Sequence, residues 1–264
     1  MKKYMEDWVV AENLRLHPNY YLLKLTQSQP LPEMFPGQFV QVRVDDSPTT
    51  FLRRPVSVHY VDKLKNELWL LIQLVGDGTR KLAELQGGDI VNLLYPLGNY
   101  FSLPEHCMSL ETQGKKFLLI GGGVGVAPLL FLGSHLNSLG YCPTFLLGAR
   151  SAGDLLQLKF FEQFGTVHTT TEDGSFGEKG LVIQHSILQN EVFDMIYTCG
   201  PKPMMQAVAA YAKKVGTPCE VSLENLMACG IGACLCCVEN TIEGHICVCT
   251  QGPVVNIEKL IWHI

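Results

Sequence analysis

Apolar and polar positions alternate along much of the first hundred residues. The period is two over 38–44 and 56–60, and 67–75 is a further β-rich run. Turn signals part these runs: Pro36-Gly37, Asp46-Ser47-Pro48, Gly76-Asp77-Gly78 and Gly87-Gly88. Short strands at turn spacing predict a small antiparallel β-barrel over 1–103, interrupted by a helical stretch at 79–85. From about 104 the pattern changes. Buried-type runs at 116–120, 144–148, 167–171 and 194–198 are interleaved with helical patterns near 154–164, 178–188 and 202–214. That order predicts a parallel α/β domain over 104–218, with a nucleotide site at the strand ends. Residues 219–264 show no long periodic element and form a third, small module.

Composition narrows the picture. A chain of 264 residues suits about two domains plus a small module. At 47% hydrophobic and 17% charged it has the apolar content for true cores. The net charge is −5 with Lys and Arg dispersed, so no basic run suggests nucleic acid or an anionic membrane surface. The longest apolar run, 117–133, is broken by Gly121, Gly122, Gly123, Gly125 and Pro128. It falls short of the roughly 20 uniform residues of a membrane helix and reads as a buried strand turning into a helix. The first residues become acidic where an apolar signal sequence would begin.

The cysteines carry the sharpest chemistry. Six of the ten lie between 229 and 249. Clustered thiols in a chain of this size point to a reducing, cytosolic setting rather than a disulfide framework. The spacing Cys229-x4-Cys234-x2-Cys237 is the one that holds a 2Fe–2S cluster in plant-type ferredoxins. Interleaved glycines let the backbone wrap closely around such a core, and a fourth thiolate must come from a later segment. Zinc is the rival, although its sites prefer paired C-x2-4-C knuckles. Cys236 makes a poor alternative ligand, because only one residue would separate it from Cys234. Cys247 and Cys249 alternate on one face of a strand, so spacing does not choose between them. Cys107, Cys142 and Cys219 are isolated and read as packing residues.

Further motifs are weaker singly. Arg54-Pro55-Val56-Ser57 offers a forked guanidinium and a hydroxyl for a flavin or its pyrophosphate, or is merely a strand start. Gly76-Asp77-Gly78-Thr79 opens a helix and is either an anion site or an N-cap at Thr79. Gly121-Gly122-Gly123-Val124-Gly125-Val126-Ala127-Pro128 follows a strand and opens a helix, so a cofactor pyrophosphate can approach its backbone; it does not fit G-x-G-x-x-G. Cys199, in Thr198-Cys199-Gly200-Pro201, lies at another strand end and is a candidate to face a nicotinamide, or a small buried residue. Glu172-Asp173-Gly174-Ser175 reads as a turn. His59, His168 and His245 read as structural.

In order and spacing, the Arg54, Gly121 and Cys199 motifs resemble the ferredoxin–NADP reductase superfamily. The segments around Cys229 and Val248-Cys249-Thr250-Gln251-Gly252-Pro253-Val254 resemble the electron-transfer subunit of class 1B dihydroorotate dehydrogenase. The resemblance covers essentially the whole chain. It implies cluster ligands Cys229, Cys234, Cys237 and Cys249. It implies FAD against Arg54, Pro55, Val56, Ser57, Leu71, Ile72, Gln73, Gly78 and Thr79, and NAD across Gly122, Gly123 and Gly125 to Ala127, near Cys199 and Gly200. The barrel becomes a flavin domain, the α/β section an NAD domain and the tail an iron–sulfur module. Flavin exchanges electrons singly or in pairs, so it belongs between a cluster and a nicotinamide. No base for dihydroorotate is visible, and the family supplies an FMN-containing catalytic subunit, in a heterotetramer of two of each. The implied path runs from dihydroorotate through the partner's FMN, the cluster and FAD to NAD+, in pyrimidine (UMP) biosynthesis. The alternative is the similar small subunit of a ferredoxin:NADP oxidoreductase or a cytosolic sulfhydrogenase. The gap of eleven residues between Cys237 and Cys249 is much shorter than in plant ferredoxins, so a ferredoxin fold is not expected.

Overall fold

A computed structural model describes residues 2–104 and 114–262; Cys107 lies outside them. The first seven strands are β1 (Tyr4–His17), β2 (Tyr20–Thr26), β3 (Phe39–Val42), β4 (Arg54–Ser57), β5 (Tyr60–Asp62), β6 (Glu67–Gln73) and β7 (Ile90–Leu97). They form one antiparallel sheet in the order β4-β3-β7-β1-β2-β6-β5. Its two end strands are consecutive in the chain, so the sheet curls until its ends approach. Val58 N donates to the Gln38 carbonyl beside β3 (2.9 Å), and His59 N donates to the Trp69 carbonyl on β6 (3.0 Å). This curled sheet is the form that the expected barrel takes. Trp8, Leu23, Val40, Val42, Leu70 and Tyr95 fill its inside.

Alternation gives β3 two destinations. Val40 and Val42 enter the sheet's own core, while Phe39 faces outward and joins the core beneath the second sheet. The helix after β6 is α1 (Asp77–Leu82). Gly76 is its N-cap, and Thr79 stands in the first turn, its Oγ1 accepting from Val75 N (3.0 Å) and Gly76 N (3.2 Å).

The second sheet collects β8 (Phe117–Gly122), β9 (Thr144–Ala149), β10 (Thr166–Thr171), β11 (Glu178–Lys179), β12 (Met195–Cys199) and β13 (Cys219–Ser222). Its helices are α2 (Ala127–Ser138), α3 (Leu158–Phe161), α4 (Ile187–Asn190) and α5 (Lys202–Val215). In the cysteine section, β14 (Val238–Thr241) and β15 (Gly244–Cys247) form a hairpin, followed by α6 (Val248–Gln251) and β16 (Val254–Asn256). The sheet order is β11-β10-β9-β8-β12-β13-β16, with β16 antiparallel to β13. The central sheet is therefore mixed, where a purely parallel one was expected. The tail turns back to cover the edge that β13 would otherwise expose, and edge backbone groups are costly to leave unpaired.

Two expected helices shrink. Over 178–188, Glu178 and Lys179 pair with Thr170 and Thr171 as a strand, and a 3-10 turn at Val182–Gln184 replaces the helix. Gly177 and Gly180 have φ of +69° and +128°, conformations a helix does not contain. Over 154–164 only α3 is helical, because Gln157 at φ +56° interrupts the run. Cys219 is buried as expected, but Cys142 is exposed and does not pack. His59 is buried, with Nδ1 2.7 Å from the Ala127 carbonyl oxygen and Nε2 2.6 Å from Gln157 Oε1. Among the described residues no helix is long and apolar enough to cross a membrane.

Candidate functional site

β8 and β12 are neighbours in the sheet, yet the chain leaves them in opposite directions. β9 and β10 build one flank, β13 the other. Loops that diverge at such a switch point open a crevice at the carboxyl ends of the strands. Here one wall is the glycine turn at 121–125 and the other begins at Gly200. The two walls are in backbone contact, since a Cβ on Gly125 would stand 2.4 Å from Gly200 Cα. Above them lies a cavity of about 540 Å³ lined by Gly122, Gly123, Gly125 and Gly200 and by Gln73 from β6. Cys199 lies beneath the floor, 1% exposed, and burial pushes its thiol well above the ordinary range. Gly200, not the Cys199 side chain, faces the cavity.

The residues expected to hold a flavin also converge. Arg54 packs on α1: a Cβ at Gly78 would meet Arg54 Cδ at 3.0 Å. The adjacent Arg53 is committed elsewhere, donating to the carbonyls of Asn92 (3.0 Å) and Gln41 (3.3 Å). Arg54 donates through Nε to the Arg53 carbonyl (3.1 Å). On β6, the side chains of Leu71 and Ile72 are buried in the cores on either side. β5 pairs with β6 only as far as Trp69. Among the described residues the β6 edge over residues 71–73 therefore has no strand bonded on that side, and its backbone is what a planar ligand would meet. Pro55 is exposed and Val56 buried, while Ser57 is half-buried.

The cysteine loop is a cradle of backbone N–H groups. Cys229 Sγ accepts from Ile231 N (3.5 Å) and Cys234 N (3.4 Å). Cys249 Sγ accepts from Gly232 N (3.2 Å), and Cys237 Sγ from Cys249 N (3.4 Å). Gly230 and Gly232, at φ +70° and +84°, supply the left-handed turns that aim these groups inward. The N–H of Ile231, with those of Cys234 and its neighbours, holds the Cys229 thiol down to about 6. Burial, with Cys237 alongside, pushes Cys249 up to about 12. The thiols thus form two pairs, 229 with 234 at the exposed rim and 237 with 249 in the buried wall. Two thiolates per metal ion is the donor set that a two-iron cluster needs. Among the described residues no three His, Cys, Asp or Glu side chains converge closely enough to hold a metal ion, so the case for a cluster rests on the donor set and its spacing. Cys236 is exposed at the loop, and Cys247 pairs across the hairpin with Val238.

The tail is fastened to the first sheet just after β7. Asn99 Nδ2 donates to the carbonyls of Gln251 (3.0 Å) and Val254 (2.7 Å), and its Oδ1 accepts from Val254 N (2.9 Å). Gly98 leaves no room for a side chain: a Cβ there would meet Pro253 Cδ at 2.5 Å.

Sequence reading missed other cavity residues. Tyr20 and Asp154 line it, and so do Glu172, from the segment taken as a plain turn, and Glu224, just ahead of the cysteine loop. Arg150, at the end of β9, is there too. Arg150 was not missed, since its place after Gly148-Ala149 suits a phosphate or a ribose; Tyr20 opens β2, and Asp154, Glu172 and Glu224 come from separate turns and loops.

A family model described as the iron–sulfur cluster binding domain of dihydroorotate dehydrogenase B matches residues 224–261. The dihydroorotate dehydrogenase B (NAD(+)) electron transfer subunit of Shouchella clausii is 39% identical over 230 residues, 86% of each chain. That of Fusobacterium nucleatum is 36% identical over 256 residues, 95% of this chain and 96% of the relative. Among solved structures, a chain of NADH-dependent reduced ferredoxin–NADP oxidoreductase is similar at TM-score 0.85 and 26% identity, over 97% of this chain and 90% of that one. The ferredoxin reductase of carbazole 1,9a-dioxygenase, at TM-score 0.67 and 20% identity, covers 82% of this chain and 67% of its own and shares the fold.

Proposed function

This chain belongs to the family of dihydroorotate dehydrogenase B electron-transfer subunits, and on that premise we propose that it takes electrons from a dihydroorotate-oxidising partner and delivers them to NAD+, in pyrimidine biosynthesis. A bound 2Fe–2S cluster and FAD supply the one-electron and hydride chemistry that side chains lack. Cys229, Cys234, Cys237 and Cys249 would hold the cluster. Arg54 to Ser57, the open edge of β6 at Leu71, Ile72 and Gln73, and Gly78 with Thr79 would hold FAD. Gly122, Gly123, Gly125 and Gly200 would receive NAD, with Cys199 packed beneath.

The chain's own groups have definite tasks in this scheme. The N–H groups of Ile231, Gly232 and Cys234 stabilise charge on sulfur. The glycine turn lets a pyrophosphate approach the backbone. Tyr20 and Gln73 close the cavity from the first sheet and keep water from the transfer. The division at 103 and 218 is then one of roles rather than of sheets.

One spatial observation carries the reading. The cysteine loop rests on β3 at Gln41, β3 pairs with β4, and Gln73 of β6 enters the dinucleotide cavity. These links would bring the three proposed sites next to one another in turn, cluster, flavin and dinucleotide. The partner, an FMN-containing catalytic subunit in an assembly of two of each chain, would cover the rim of the cysteine loop. Leu226, Ile231 and Leu235 are exposed there, at 85%, 48% and 63%. A reducing cytoplasm would keep such clustered thiols available as ligands.

Anaerobic co-expression with a candidate FMN subunit tests the proposal. Iron, acid-labile sulfide and FAD should co-purify with this chain, and the complex should reduce NAD+ with dihydroorotate. A complex holding neither iron nor a second flavin would refute it. Turnover with ferredoxin and NADP in place of dihydroorotate would assign the chain to the ferredoxin–NADP oxidoreductases whose layout it shares.

A further inference from the structure

Gln41 is the one glutamine on β3 whose side chain is fully buried with neither amide atom hydrogen-bonded to the described protein. Leaving a buried amide unpaired costs on the order of 1–3 kcal/mol, so its surroundings call for an explanation. β3 alternates, and Gln41 shares the outward face with Phe39, which packs under the cysteine module. A hydrophobic residue would suit that face. Instead the Gln41 amide lies close against Gly230 of the cysteine loop. A Cβ on Gly230 would stand 2.9 Å from both Gln41 Cγ and Nε2. Gly230 follows Cys229 directly. Across the strands Gln41 pairs with Pro55, in the stretch expected to meet the flavin.

We propose that the Gln41 side-chain amide donates a hydrogen bond to the iron–sulfur cluster on its Cys229 side and thereby raises the cluster's reduction potential. The inference rests on the cluster ligands proposed above. A thiolate-held cluster is an acceptor and gains negative charge on reduction, so a donor from a dry, fixed amide favours the reduced form. The loop's own N–H groups already donate to Cys229 sulfur. Gln41 approaches from a different element, β3, against Gly230.

The test is an EPR-monitored redox titration of the anaerobically purified complex. Gln41→Met keeps the bulk and removes the donor. It should shift the cluster's equilibrium about tenfold toward the oxidised form, which for one electron is 59 mV. Gln41→Glu should shift it further in the same direction. Pulsed EPR on wild-type complex carrying 15N in its glutamine amides should show coupling to the reduced cluster that Gln41→Met removes; if the variant does not assemble, coupling absent from wild type alone overturns the proposal. An unmoved potential in Gln41→Met overturns it as well. Wild type with no iron signal at all would instead refute the ligand assignment. Without metal, Gln41→Met should melt higher than wild type, because it deletes an unpaired buried amide. With metal that gain should vanish, a reversal that a purely structural glutamine would not produce.

Discussion

A methyl group added at Gly125 would meet Gly200 Cα at 2.4 Å, backbone against backbone. One added at Gly232 would meet only the Thr250 side chain, at 3.0 Å, but Gly232 has φ +84°. The glycine turn at 121–125 and the cysteine loop at 229–237 thus both use glycine, for different reasons at these two positions. At Gly125 the turn needs glycine for the space outside it, so that two loops can touch beneath a cavity. At Gly232 the loop needs glycine for the path of its own backbone, so that N–H groups point at sulfur. The turn is a buried, packed element that forms with the sheet. The loop is largely exposed, and its N–H groups are directed at the sulfurs of Cys229 and Cys249. The contrast teaches that one residue type answers to packing in the first case and to torsional freedom in the second.

The two regions should fail separately. The largest effect is expected for Cys234→Ser. It removes a rim thiolate, and since loss of an outer-shell group at a metal site costs 10–100-fold, dihydroorotate–NAD+ turnover should fall by at least about a hundredfold. Flavin reduction by NADH, which on the proposed assignment would use only the turn and the first sheet, should stay near wild type. If both rates fell together, the two regions would not be functionally separable. Gly125→Ala comes next. Overpacking at this contact should cost about 2 kcal/mol and lower Tm by several degrees. NADH affinity should weaken while the cluster spectrum is retained.

Gly232→Ala should cost about 1–2 kcal/mol through its left-handed φ and show as faster loss of iron under air, with the KM for NADH unmoved. A change in that KM would break the distinction between the loops. The smallest effect concerns pH. His59 packs on Ala127, directly after the glycine turn, and burial holds its pKa below the ordinary value. The unfolded chain takes up a proton near pH 6.5 that the folded chain resists. Stability is therefore full above that pH and declines as pH falls below it. The thermal midpoint should be lower at pH 5.5 than at pH 7.5, and His59→Gln should narrow the difference. An equal difference in the variant would locate the acid sensitivity elsewhere.

Much of this was legible in the chain. The run at 38–44 became β3, that at 67–75 became β6, and Lys202–Val215 matched the pattern at 202–214. These segments carry their period within themselves. The pattern at 178–188 misled, because Glu178 and Lys179 are claimed by a neighbouring strand that local propensity does not see. β16 was unreadable for the same reason: three residues become a strand only because β13 offers an edge.

Cysteine spacing by itself determined that four thiols close in the chain suit a cluster, since ligand geometry within a loop is a local matter. It left open whether Cys247 or Cys249 completes the set. The fold turns the Cys249 sulfur toward Gly232 N and Cys237, while Cys247 pairs in a hairpin. Tertiary structure alone decided that Gln41, some 190 positions away, lies under Gly230, that Asn99 clasps the tail, and that Tyr20 and Gln73 reach the cavity. Such contacts join residues with no shared period. They exist because two sheets must bury their outward faces against each other, and only the assembled chain settles which side chains meet there.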